Sequence, residues 1–180
     1  MTRMVALLRG INVGGNRKVP MADLRALVEA EGFGDVATYI QSGNVVFTAA
    51  ADVAAVTSAL EKSIAKRFGF PVDVIVRTAE AWRPYAGDGP FPEARRDHPN
   101  HTMLGLAARP LKPDVAEALR ARATMGERVE VAGDALWIDF AESLPRSKLS
   151  PAVLDRAAGS PVTARNWNTV LKLHAMLSPG

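Results

Sequence analysis

The chain has 180 residues, 48% of them apolar and 23% charged, which is enough to build the core of one domain or of two small packed subdomains. It contains no cysteine, which excludes disulfides, thiolate metal ligands and a cysteine nucleophile. The net charge of +3 excludes a uniformly basic surface of the kind that coats nucleic acid.

The charge is unevenly placed. Residues 1–20 hold Arg3, Arg9, Arg17 and Lys18 and no acid, a local +4 that leaves −1 for the other 160 residues. The first ten residues lack the apolar core and cleavage site of a secretion signal. No apolar run approaches the roughly 20 residues that span a bilayer. The composition therefore predicts a cytoplasmic protein with no membrane partner.

Met4 to Leu8 is a short apolar run without alternation, as expected for a strand central in a sheet. Pro20 opens a helix at a position where its missing N–H does no harm, and Met21, Leu24, Leu27 and Val28 form its apolar stripe. Gly32 ends it. Val36, Thr38 and Ile40 alternate with polar or small residues as a half-buried strand. Ser42-Gly43 turns the chain into a partner strand over Val45 to Thr48. Val53, Val56, Leu60, Ile64 and Phe68 mark a second helix, closed by Gly69, and Val72 to Val76 is the next strand. The order βαββαβ is that of the split βαβ, ferredoxin-like arrangement.

Ala79 to Tyr85 fits a short helix. Gly87 to Pro99 holds two glycines and three prolines and reads as a linker or long loop. The pattern then restarts. Met103 to Ala107 is a strand, and Pro113 opens a helix with Val115, Ala118, Leu119 and Arg122 on one side. Val129 and Val131, the turn at Gly133-Asp134, and Leu136, Ile138 and Phe140 form a hairpin. Ser150-Pro151 opens another helix, and Arg165 to Leu177 reads as a last one. The expected organisation is a first half over 1–86, a linker over 87–100 and a variant second half, βαββα plus a C-terminal helix, over 101–180. The fold class is α+β: two tandem ferredoxin-like-related halves with antiparallel sheets and helices on one face.

Three polar stretches stand out. The loop from Arg9 to Lys18 carries Gly10, Gly14 and Gly15, whose backbone N–H groups can be aimed at an anion, and Arg9, Asn12, Arg17 and Lys18 add charge and amide groups. It is neither a Walker loop nor a dinucleotide fingerprint, because the glycine spacing is wrong for both. Gln41, Ser42 and Asn44 put three hydrogen-bonding side chains at one hairpin tip. In the ferredoxin-like order this tip is expected at the sheet end where the first helix finishes, away from the Arg9 loop. Thr163 is expected to cap the last helix, with Arg165, Asn166 and Asn168 crowding its first turn. A cation there opposes the helix dipole and suggests an anion between the groups. Lys148 beside Ser147 is read as one more loop cation, since adjacent residues rarely face each other as a catalytic pair. His98 and His101 are separated by Pro99 and lack a third ligand, so no metal site is expected. No cofactor is indicated.

Leu8-Arg9-Gly10-Ile11-Asn12-Val13-Gly14-Gly15, Tyr39-Ile40-Gln41-Ser42-Gly43-Asn44-Val45 and Arg165-Asn166-Trp167-Asn168-Thr169 resemble the signature stretches of a bacterial family, domain of unknown function 1697. Ser147-Lys148-Leu149 is similar to a fourth. The resemblance runs from about residue 4 to residue 177. It implies two tandem ferredoxin-like-related halves and no established activity or catalytic residue. The residues then support three readings: a module binding a small anionic or phosphorylated ligand, or a nucleic-acid end; an enzyme acting on a phosphate- or carboxylate-bearing substrate, for which no general base is evident; and a structural or oligomerisation protein.

Overall fold

The computed structural model describes residues 1–178. It divides into two compact units, one formed by Met1–Arg83 with the chain from Leu173 onward, the other by Pro84–Lys172.

In the first unit β1 (Thr2–Leu8), α1 (Met21–Ala30), β2 (Gly34–Tyr39), β3 (Asn44–Ala49), α2 (Val53–Phe68) and β4 (Val74–Thr78) follow in the expected order. The strands form one antiparallel sheet, β2-β3-β1-β4. Met4, Ala6 and Leu8 of β1 face the helices and share a core with Val45, Phe47, Leu24, Val28, Val56, Leu60 and Ile64. Each of those helix residues lies on the stripe that the 3.6-residue period predicts. The alternate residues Val5, Leu7, Val46 and Ile75 are buried as well, which explains why β1 reads as a continuous apolar run. Asp52 caps α2 by accepting the Ala55 N–H at 2.8 Å, and Gly69 ends it in the left-handed conformation at φ 82°.

The hairpin tip at Ile40–Gly43 is not at the end where α1 finishes. In a split βαβ unit β1 and β2 run the same way, so β2 ends where β1 ends. The register shows it directly: Leu7 of β1 faces Asn44, the first residue of β3, and Leu8 faces Val74, the first residue of β4. The connection after β1, the β2–β3 tip and the α2–β4 connection therefore meet at one end of the sheet. Leu8 donates its N–H to the Gly43 carbonyl at 2.8 Å, and Arg9 to the Asp73 carbonyl at 3.0 Å.

After α3 (Ala79–Ala86) the second unit contains α4 (Pro92–Asp97), β5 (Thr102–Ala107), α5 (Val115–Arg120), β6 (Arg128–Ala132), β7 (Ala135–Asp139), α6 (Pro151–Ala158), β8 (Val162–Asn166) and the start of α7 (Trp167–Leu177). Its sheet, β6-β7-β5-β8, repeats the order of the first. α5 and α6 cover one face through Val115, Leu119, Leu154 and Ala158 against Leu136, Ile138 and Val162.

Two local expectations are corrected here. The helix expected from Arg165 starts instead at Trp167, and Val162–Asn166 is the closing strand missing from the βαββα reading. Its pairing with β5, Leu104 opposite Arg165 and Leu106 opposite Thr163, outweighs a local pattern that contains only two aliphatic residues. The stretch read as a linker over 87–100 carries α4, whose Ala94 and Arg95 are buried. Proline there opens a helix rather than breaking one. The last turns of α7 belong to the first unit, where Arg3 donates to the Met176 carbonyl at 3.2 Å.

Candidate functional site

Two polar clusters emerge, one in each unit. The first is the loop end of the first sheet. Asn12 holds it together: its Oδ1 accepts the Val19 N–H at 2.8 Å, and its Nδ2 donates to the Val19 carbonyl at 2.9 Å and the Gln41 carbonyl at 2.8 Å. One amide thus closes the Arg9–Lys18 loop on itself and fastens it to the β2–β3 tip. Between Val13 and Asn16 the chain makes a two-residue turn with Gly14 at φ 59° and Gly15 at φ 75°, the type I′ geometry that favours glycine at both positions.

The backbone here is unusual. Gly10, Asn12, Gly14, Gly15, Arg17, Ile40 and Gly43 all have positive φ. Ile40, at φ 49°, is β-branched, for which this region is a genuine outlier, and its side chain is exposed. Within these turns the Asn12 N–H donates to the Arg17 carbonyl and the Asn16 N–H to the Val13 carbonyl, each at 3.1 Å.

Of the sequence-selected residues, Arg9, Asn12, Arg17, Lys18, Gln41, Ser42 and Asn44 all belong to this end. Their roles differ. Arg17 donates to the Pro71 carbonyl and lies over the Phe70 ring at 5.3 Å. Asn44 is fully buried, with Nδ2 donating to the Tyr39 carbonyl at 2.8 Å and Ser42 Oγ at 3.0 Å, so both close the hairpin. Gln41 contributes its carbonyl, and its side chain is exposed. Lys18 is exposed and has no bond partner among the described residues, and Arg9 is half-buried.

Gly43 is the tightest point. A Cβ there would stand 2.6 Å from Ile11 Cδ1 and 2.9 Å from Leu8 Cβ, with φ at 86°. Gly43→Ala is expected to cost about 2 to 4 kcal/mol in urea unfolding, from left-handed strain plus overpacking.

The other four sequence-selected residues are in the second unit. Arg165 is on β8, not in the first turn of a helix, and is 7% exposed. It donates to Thr163 Oγ1 at 2.7 Å and the Ala164 carbonyl at 2.9 Å, and burial pushes its pKa down to about 10. On a strand it does not oppose a helix dipole, contrary to the expectation from sequence. Asn166 is the cap of α7, accepting the Thr169 N–H at 3.0 Å. Asn168 donates to Asn100 Oδ1 at 2.8 Å. Lys148 is exposed. Ser147 donates to Glu127 rather than pairing with Lys148.

The second cluster joins residues that no sequence motif connects. Asp139, at the end of β7, is 2% exposed. Its Oδ2 accepts from Arg128 Nε at 3.0 Å and Nη2 at 2.7 Å, and its Oδ1 accepts from the Ala141 N–H at 2.9 Å and His98 Nε2 at 3.0 Å. Burial alone would raise this carboxyl's pKa, but the Ala141 N–H, Arg128 and His98 together hold it below the usual carboxylate range. Arg128 also pairs with Glu93 at 2.6 Å and stacks over Phe91 at 4.6 Å. A cleft of about 730 Å³ opens beside the cluster, lined by Asp97, His98, His101, Glu142, Ser143 and Arg146 among others. The Arg128–Asp139 pair could have been found by counting outward from the Gly133-Asp134 turn, since the two residues are opposite in that hairpin. His98 and Asp139, 41 residues apart, left no local signal.

Nearby, the Arg95 guanidinium lies 4.1 Å from the Trp137 ring and 4.3 Å from Trp167, and donates to the Gly87 carbonyl at 3.0 Å. Its Nε is buried and has no partner among the described residues, and burial lowers its pKa. The contacts tie α4 to the sheet and to α7. No group of three metal-ligating side chains occurs among the described residues. No helix among them is long and apolar enough to cross a membrane.

Fold and clusters together define a class: an α+β protein of two tandem ferredoxin-like-related units, each with a polar cluster. The same fold is found in the conserved bacterial protein SP0830 from Streptococcus pneumoniae, to which the chain is similar with a TM-score of 0.75 and 26% sequence identity, covering 98% of this chain and 99% of that one. The chain belongs to the family of proteins of unknown function DUF1697, whose model matches residues 1–137. No curated protein matches it.

Proposed function

We propose that the protein binds a small anionic or phosphorylated ligand at the loop end of the first unit. One observation supports this above the others. Seven residues of positive φ, three of them not glycine, gather in two facing loops that a single asparagine locks together. Backbone strain of this kind costs free energy and persists where the surroundings impose it, often at binding sites. Lys18, Arg17 and Arg9 give this end its charge, and the Gly14-Gly15 turn offers N–H groups at no side-chain cost. Asp73 is the one acid in the adjoining connection, residues 69–73. Because Asn12, Asn44 and Ser42 spend their amide and hydroxyl groups inside the protein, they shape the site, and ligand contact falls to the cations and the turn. The cysteine-free composition is in keeping with the reducing cytoplasm of a bacterial cell.

Thermal-shift measurements against nucleotides, sugar phosphates and short oligonucleotides test the reading. At least one class is expected to raise the melting temperature, less so as salt increases. Lys18→Glu is expected to remove that gain while leaving the unliganded melting temperature within a degree or two, because an exposed side chain contributes little to stability. A panel without any salt-sensitive gain would favour the structural reading instead.

A further inference from the structure

The second unit orients a histidine as the kind of proton-transfer group that no sequence motif marks. Asp139 is fully satisfied without help from a histidine: Arg128 grips Oδ2 twice and the Ala141 N–H serves Oδ1. The His98 bond to Oδ1 therefore orients the ring more than it neutralises the acid. An ionised carboxylate only accepts, so the proton of that bond sits on His98 Nε2. In the neutral ring His98 Nδ1 then carries a lone pair, and it has no protein partner among the described residues. His101 mirrors this. Its Nδ1 bonds to the Ala141 carbonyl, which also only accepts, so in the neutral ring its Nε2 carries the lone pair. Ala141, whose N–H serves Asp139 and whose carbonyl serves His101, is held at φ 48°, an uncommon conformation for alanine. Both histidines line the same cleft, with Arg146, Asp97 and Glu142 as its charged groups and Arg128 behind Asp139.

We propose that this cleft is an acid–base site for a small oxyanion-bearing molecule, with His98 as the proton acceptor, Asp139 as its positioning residue and Arg146 meeting the ligand's negative group. In the step, a ligand O–H or N–H proton moves to the His98 Nδ1 lone pair while the bonding electron pair stays on the ligand. The resulting imidazolium is stabilised by Asp139, and the proton returns from Nδ1 in the reverse direction. This site is separate from the loop of the first unit and does not rest on that reading.

Long-range proton–nitrogen NMR of the full chain at neutral pH tests the assignment. The Nε2–H form is expected for His98 and the Nδ1–H form for His101, and Asp139→Asn is expected to mix the two forms of His98. Titration with inorganic phosphate is expected to move both rings' signals saturably. Arg146→Ala should weaken that response roughly tenfold, the size of a lost charge-assisted bond, whereas Lys18→Glu should not change it. His98 found as the Nδ1–H form, or ring signals that phosphate leaves unmoved, would overturn the proposal.

Discussion

Replacing Asn12 by alanine is expected to lower the unfolding free energy by about 2 to 4 kcal/mol, from two partly buried hydrogen bonds, one exposed one and the groups they leave unpaired. The side chain serves both the N–H and the carbonyl of Val19 and reaches the Gln41 carbonyl. Its backbone, at φ 54°, also suits asparagine better than alanine. Urea unfolding measures the loss. Gln41→Ala is the contrasting variant, because Gln41 enters the bond through its main chain and its exposed side chain has no bond partner among the described residues. It should change stability by less than about 0.5 kcal/mol. The pair separates an organising residue from its neighbour in the same motif. Asn12→Ala should also weaken any ligand bound at this end, since the two loops would lose their common strut.

The second large effect is expected at Asp139. Asp139→Ala leaves Arg128 and His98 without their shared acceptor, and the Ala141 N–H unpaired. Removing one member of a buried charged network is expected to cost about 3 kcal/mol, less than the extreme because Arg128 is partly exposed and keeps Glu93. The cost should depend on pH. The Asp139 carboxyl is held below its ordinary value in the folded state, so the unfolded chain takes up its proton first as pH falls. The stabilisation is therefore fully present above about pH 4, near the unfolded carboxyl pKa, and is lost as pH drops through the lower folded value. Unfolding curves for both proteins at neutral pH should be well separated, and the gap should narrow as the solution is acidified below about pH 4. A gap that widens on acidification would contradict the assignment of the network.

Much of this architecture is written in local patterns. The stripe Val56, Leu60, Ile64 gave α2, Gly69 its end, and the doubly buried run Met4–Leu8 the central strand. β8 was not readable in the same way. Only Val162 of this strand joins the core under α5 and α6, and its buried Thr163 and Arg165 are polar residues that give no apolar alternation to read. The position of the β2–β3 tip follows from the direction of β1 and β2, a property of the topology that residue types alone do not carry. For the candidate sites the division is similar. Asn12 and the Gly14-Gly15 turn are local and could be singled out by type, but whether an amide faces ligand or backbone is decided by neighbours 7 and 29 residues away. The His98–Asp139 pair joins residues 41 apart in the chain, so no local spacing marks it.

The loop end of the first unit is expected to receive an anion. Amide NMR titration of the labelled chain with a phosphorylated compound chosen by the thermal-shift screen addresses it directly. Saturable shifts confined to residues 9–18 and 40–43, weakened by added salt and lost in Lys18→Glu, are the predicted result. Shifts that spare these residues at saturating ligand would contradict it.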